Sequence, residues 1–306
     1  MALQPLAVPS PQRPKSPLRG RLEPYLYVLP ATLLIASLMV VPITIVVRYS
    51  LLEESVTVDG APFAGLSNYF AVLSDTEFQQ SVANTLVFVV VSVLAHLLIG
   101  LGFASMLNSP LLHRVPLAIF RGIFLLPWVF TAAVVAVLWR LLLDPDGVIN
   151  FLLTTVGLPG DTAWLGDTAT ALGAVTFMNI WAGYPFFMVS MLAGMQTISP
   201  TLMEAARVDG AGVIRRFWSV TLPQMRGVIV SMTLLDMIWT SQQFALIWIA
   251  TGGGPLSSTS VLSTYTYKLA FSSYEFSEAA ASAVLVLLIS LVLAVLYVRH
   301  DRKAQR

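Results

Sequence analysis

The residues of this chain whose types could do chemistry are few, and they sit inside otherwise apolar runs. Asp236, Trp239, Gln242 and Gln243 fall at offsets 0, 3, 6 and 7, a spacing that puts them close to one face of a helix. Asn179, Trp181 and Tyr184 lie together in the middle of another run. Carboxylates and amides exchange hydrogen bonds with hydroxyls, and aromatic rings cover apolar ring faces, so the chemistry on offer is recognition of a polar solute. The plainer use of such residues is to bond neighbouring helices to one another. His96 stands alone on a strongly apolar segment, where a histidine is more often a satisfied packing residue, and it is assigned to packing.

Bond-breaking chemistry finds little to work with. Cysteine is absent, which excludes disulfides, thiolate metal sites and cysteine nucleophiles. A single carboxylate within the apolar runs, Asp236, cannot make an aspartyl dyad. The three histidines form no HExxH zinc motif. Lys15, Lys268 and Lys303 follow Pro14, Tyr267 and Arg302, so no Gly-Lys-Ser/Thr phosphate-binding loop exists. The chain is read as a non-enzyme with no catalytic residue, metal or cofactor of its own. Its 17 basic and 16 acidic residues give no pull toward nucleic acid.

Composition sets the elements that must position these residues. Of 306 residues, 57% are hydrophobic and 11% charged, with a mean hydropathy of +0.79. A soluble domain carries roughly 25% charged residues, and a soluble fold of this composition would leave too much apolar surface wet. A helix needs about 20 mostly apolar residues to cross a hydrocarbon core about 30 Å thick. Six runs qualify: 25–47, 82–107, 119–143, 169–195, 228–250 and 279–298. They are continuous rather than alternating, which excludes an outer-membrane barrel. No small-x-small cleavage site follows the first, which is read as a retained span. The expected fold is an all-α integral membrane protein with six transmembrane helices over residues 25–299. A proline-rich, disordered tail at 1–24 and a short tail at 300–306 flank it.

Charge orients these spans. Counted by non-membrane segment from the N-terminus, Lys plus Arg number 4, 1, 2, 1, 4, 1 and 4. Fourteen of the 17 lie in alternate segments, so the positive-inside rule puts both termini and the second and fourth loops in the cytoplasm. Arg114 and Arg121, in the second loop, are topology anchors.

The fourth loop, residues 199–223, has its own local physics. Ser199 suits an N-cap and Pro200 a first helical position, for a short helix ending at Val208. Gly210 can end that helix and reverse the chain. Residues 212–219 suit a second short helix, with Phe217 and Trp218 beside Arg215 and Arg216, and Pro223 stops it before the fifth span. Such a knob could insert into a partner's groove. It could equally lie on lipid headgroups.

Glu204-Ala205-Ala206, then Gly210, Val220 and Leu222-Pro223 at fixed spacing, resembles the EAA loop of ABC importer permeases. Asp209-Gly210-Ala211, the TGGGP of residues 251–255, the aromatic-rich 265–276 and the GLSNYF of residues 65–70 resemble the binding-protein-dependent carbohydrate (maltose-type) branch. So do Trp139, Asp144-Pro145 and residues 147–150. Departures lie at Gly227, where that branch often has proline, and at Ser241-Gln242 and Phe244-Ala245, where Phe-Asn and Phe-Asp are usual.

The resemblance implies the type I ABC importer permease fold in a bacterial or archaeal cytoplasmic membrane. It also implies a second homologous permease, two ATPase subunits that carry ATP and Mg, and an extracytoplasmic solute-binding protein. In the coupling loop, Glu204 would contact the ATPase or fix the knob, and Ala205 and Ala206 would allow close packing. Asp209, Gly210 and Ala211 would form the turn, and Leu222 and Pro223 would link knob to span. Asp236, Trp239, Gln242, Gln243, Asn179, Trp181 and Tyr184 become candidates for the substrate pathway. The implied substrate is a disaccharide or short oligosaccharide rather than glycerol phosphate, because no arginine lies deep in a span. A stand-alone secondary carrier or channel and a structural membrane anchor are the competing readings.

Overall fold

The computed structural model describes the backbone of residues 17–53, 60–108 and 114–304, and the side chains of 25–53, 60–108 and 117–299. The chain divides after Arg48 into two units. The first holds nearly all of α1 (Pro17–Tyr49), whose apolar side chains from Tyr25 onward are exposed almost throughout. This helix begins eight residues ahead of the predicted span, so the tail predicted at 1–24 is helical from Pro17, and its first 16 residues lie outside the described ones.

The second unit is also helical. A short α2 (Ser67–Ser74) leads into α3 (Thr76–Leu107), which Asp75 caps by accepting from the Glu77 backbone N–H at 2.9 Å. Next come α4 (Arg114–Val129) and α5 (Ala132–Leu142), bent by 97° against each other. The sequence predicts one straight span over 119–143. Instead Pro127 withdraws a backbone donor near the end of α4, and Thr131 starts a new helix by accepting from the Val134 N–H. After α6 (Val148–Thr155) comes the long α7 (Ala171–Gln196), then α8 (Pro200–Val208) and α9 (Val213–Arg216). A π-helical turn, Phe217–Thr221, joins α9 to α10 (Leu222–Ser241). The fold closes with α11 (Ala245–Thr251), α12 (Leu262–Phe271) and α13 (Phe276–Ala304), which carries residues 300–304 of the tail predicted at 300–306 as helix.

Among the described residues, α1, α3, α7 and α13 are long and apolar enough to cross a membrane, and the bent α4–α5 pair, counted as one span, makes five. The run predicted over 228–250 is not continuous. It ends as a helix at Ser241, where the Gln242 N–H turns back to the Trp239 carbonyl at 3.2 Å, and resumes as α11.

Between helices in lipid, close packing substitutes for the hydrophobic effect, so small residues decide which helices meet. Gly100 on α3 is such a point: a Cβ there would lie 2.5 Å from the Phe187 Cβ and 2.8 Å from the Met188 backbone nitrogen of α7. Around this pair Phe88, Val93, Trp139, Met178 and Leu246 bury one core, and Ala104, Leu107, Phe187, Met191 and Met225 a second. A third joins α2, α3, α12 and α13 through Val72, Phe78, Tyr265 and Ala281.

Polar bonds lock the start of α3 to the loop after α11 and to α12. The Asn84 amide donates to the Ser260 carbonyl at 2.9 Å, and Lys268 Nζ meets Glu77 Oε1 at 3.0 Å. Tyr265 donates its hydroxyl to Asp75 at 2.5 Å. Burial first, and the Asp75 carboxylate second, push that phenol well above its usual range, so it stays protonated as the donor.

Candidate functional site

The three helices α3, α7 and α10 bring together polar groups that are far apart in sequence. His96 of α3 is 1% exposed and Asp236 of α10 is 7% exposed. His96 Nδ1 lies 2.8 Å from Asp236 Oδ2, and His96 Nε2 lies 3.0 Å from the backbone oxygen of Asn179 on α7. Thr240, one turn along α10, donates to the other Asp236 oxygen at 3.3 Å. The ring fits because residue 183 of α7 is glycine: a Cβ there would lie 2.3 Å from His96 Nε2.

Beside this cluster is a cavity of about 270 Å³, walled by Asp236, Asn179, Gln243 and Trp239 together with Trp128 and Phe130. The Gln243 amide reaches the Asn179 side-chain oxygen at 3.4 Å, while Asn179 Nδ2 is buried with no partner among the described residues. A buried amide donor left unpaired costs about 1–3 kcal/mol, a cost carried within this wall. The cavity therefore offers a carboxyl group, the side-chain amide of Gln243 and aromatic faces.

Four of the seven predicted pathway residues thus share one cavity, and three do not border it. Gln242 follows the end of α10 and is exposed. The single-face spacing fails there because the helix stops at Ser241, so Gln243 reaches the cavity from a turn rather than from the helical face. Trp181 stacks on Phe130 at 6.3 Å and meets Trp139 edge-on at 5.6 Å. Tyr184 is buried against Phe103, with ring centroids 5.3 Å apart. His96, assigned to packing from sequence, is buried and satisfied, but as the partner of the only carboxylate in the cavity wall. The signal available was that a carboxylate within a span requires a partner.

The loop at 199–223 folds largely as its residues dictate. The helix predicted over 200–208 is present, although the Ser199 hydroxyl meets Thr201 Oγ1 at 2.8 Å instead of capping a backbone N–H. Gly210 has φ +75°, the left-handed conformation that favours glycine. The Ala211 N–H bonds back to Ala206 at 2.9 Å, and Arg216 donates to the Ala211 carbonyl at 3.0 Å, closing the turn. Glu204, Ala205 and Asp209 are exposed, and so is an apolar tip: Val208 is 88% and Ile214 76% exposed. Pro223 does not stop the second helix. The chain stays helical from Val213 to Ser241, with Leu222 and Pro223 opening α10 after the π-helical turn. A proline ring collides with the carbonyl four residues back in a regular α-helix, and the wider turn at Phe217–Thr221 makes room for it.

The sequence profile of the family described as "Binding-protein-dependent transport system inner membrane component" matches residues 96–306. The chain is 33% identical to the probable ABC transporter permease protein YurN of Bacillus subtilis, over 92% of this chain and 96% of that protein. It is also 33% identical to the trehalose/maltose transport system permease protein MalF of Thermococcus litoralis, over 91% of this chain and 93% of the relative. Its fold resembles a solved bacterial ABC transporter involved in import of the acidic polysaccharide alginate, with TM-score 0.81 and 22% identity over 94% of this chain and 98% of that one. The chain belongs to the binding-protein-dependent inner membrane component family, as a multi-pass permease subunit of an ABC importer.

Proposed function

We propose that this permease forms half of the translocation pathway of an ATP-driven sugar importer. A second permease completes the pathway, two ATPase subunits beneath it bind and hydrolyse Mg-ATP, and an extracytoplasmic binding protein delivers the substrate. The observation that carries the sugar reading is the cavity: Asp236, Asn179 and Gln243 exchange hydrogen bonds with hydroxyls, and Trp128, Phe130 and Trp239 cover the apolar faces of a pyranose. A relative whose name assigns it to trehalose and maltose transport supports a disaccharide or short oligosaccharide.

The exposed knob of α8 and α9, turned at Gly210, docks in a cleft of the ATPase. Closing of the ATPases drives the two knobs together, and the helical run from Val213 to Ser241 carries that movement to Asp236 and Trp239. Both termini and the knob lie in the cytoplasm, and α10 supplies the sixth crossing. Arg226 and Asp236 keep α10 out of the set of helices apolar enough to cross a membrane by composition alone, which suits a helix that lines a pathway.

The test is the purified assembly in liposomes. The chain co-purifies with a second permease and ATPases, and its ATP hydrolysis rises when the binding protein is loaded with one of a panel of neutral sugars. Uptake by the permease alone, with no ATPase present, would overturn the proposal in favour of a secondary carrier.

A further inference from the structure

We infer that His96 is the positioning and charge-compensating residue of the cavity. It shares one proton with Asp236, which makes the wall electrically neutral and restricts the cavity to uncharged, hydroxyl-bearing solutes, an inference that rests on the sugar-pathway proposal.

The hydrogen-bonding rules leave little freedom. The Asn179 backbone oxygen can only accept, so His96 Nε2, 3.0 Å away, carries a proton. Nδ1 then faces Asp236 Oδ2 at 2.8 Å. Without a proton between them two lone pairs would meet at contact distance, so one of the two atoms bears it. With the proton on nitrogen the pair is imidazolium and carboxylate; with the proton on oxygen it is imidazole and carboxylic acid. Either way the net charge is zero. Burial of both groups enforces this, because an uncompensated charge at membrane depth is costly.

The other walls agree. Among the described residues that border the cavity none is lysine or arginine, so nothing there neutralises a phosphate, sulfonate or uronate. A cation would need an uncompensated carboxylate, and the only one present is engaged by His96 and Thr240. What remains for a solute is the polar edge of Asp236, Thr240 and Gln243, which exchanges hydrogen bonds with hydroxyls. Gly183 holds the arrangement by giving the His96 ring its place against α7.

The test uses the complete importer, with binding protein, reconstituted in liposomes. Asp236→Asn lowers uptake of the preferred neutral disaccharide about threefold to tenfold: an acceptor is lost, but the new amide can donate to Nδ1 and no charge is stranded. His96→Phe leaves the carboxylate alone and lowers uptake at least 30-fold. The double variant His96→Phe/Asp236→Asn recovers at least threefold over His96→Phe, a rescue that a packing role would not give. A His96→Phe variant no worse than Asp236→Asn, or a double variant no better than His96→Phe, overturns the inference. A second readout needs no variant. In the wild-type complex labelled with ¹⁵N-histidine, His96 Nε2 is protonated and Nδ1 is hydrogen-bonded to the carboxyl group; an unprotonated Nε2 overturns the assignment. For charge selection, the neutral disaccharide loaded inside the vesicles slows uptake, and the same disaccharide bearing one uronic acid does not. Equal inhibition overturns the neutral-wall reading. A wild-type complex that imports no sugar at all overturns the pathway proposal instead, whatever the state of His96.

Discussion

The His96 ring occupies the space a side chain at Gly183 would need, with only 2.3 Å between its Nε2 and a Cβ built there. Gly183→Ala therefore pushes the ring off α7 and away from Asp236. Overpacking of this kind costs about 1–3 kcal/mol, and parting a buried hydrogen-bonded pair adds to it. Thermal unfolding of the purified complex should drop by several degrees, and uptake should fall with it. An unchanged Tm with normal uptake would show that the ring is not seated against this helix.

Gly100 and Gly102 give an internal control for helix packing. A Cβ at Gly100 would meet α7 backbone at 2.8 Å, whereas one at Gly102 would meet nothing within 4 Å. Gly100→Ala should lower stability by about 1–3 kcal/mol, and Gly102→Ala should leave it level or raise it slightly. Chemical or thermal unfolding of the two variants side by side checks the contrast.

Gly210→Asp and Glu204→Lys should each uncouple the importer. Gly210 needs its positive φ for the turn, and Glu204 stands exposed on the first knob helix. Uptake is expected to fall more than tenfold while ATP hydrolysis persists and the amount of protein in the membrane is unchanged. Wild-type uptake by both variants would remove the loop from the coupling path.

Tyr265→Phe removes the hydroxyl bonded to Asp75. A hydrogen bond to a charged acceptor contributes about 1.5–3 kcal/mol, so stability should fall by that order. The pH dependence has a definite sign. The folded-state phenol titrates above the ordinary tyrosine value of about 10, so its contribution is fully present below that pH and is lost only as pH rises beyond it. A contribution already lost between pH 7 and pH 9 would contradict the bond.

Helix content, the knob and its glycine turn were legible in the residues, because apolar run length, Pro200 and Gly210 act locally. The breaks were not. A hydropathy run from 119 to 143 averages over the bend at Phe130–Thr131, and the run over 228–250 does the same at Gln242–Phe244. Both are set by hydrogen bonds that hydropathy does not register, such as the turn of Gln242 back onto Trp239. Asp236 was identifiable because a carboxylate in an apolar run is rare. Its partner lies 140 residues away, and only the meeting of α3 with α10 makes His96 more than a packing residue. Trp181 and Tyr184 show the converse: aromatic residues near a cavity can be spent on their neighbours.

The His96–Asp236 pair also bears on voltage. One elementary charge carried across a membrane potential of 100 mV exchanges about 2.3 kcal/mol with the field. A lone carboxylate on a moving helix would make each access change either resist or exploit that potential. Two opposite charges 2.8 Å apart, or two neutral groups, present almost nothing to it. On that assignment the His96–Asp236 pair carries no net charge through the field, and a displacement of this part of the wall is indifferent to the polarisation of the membrane.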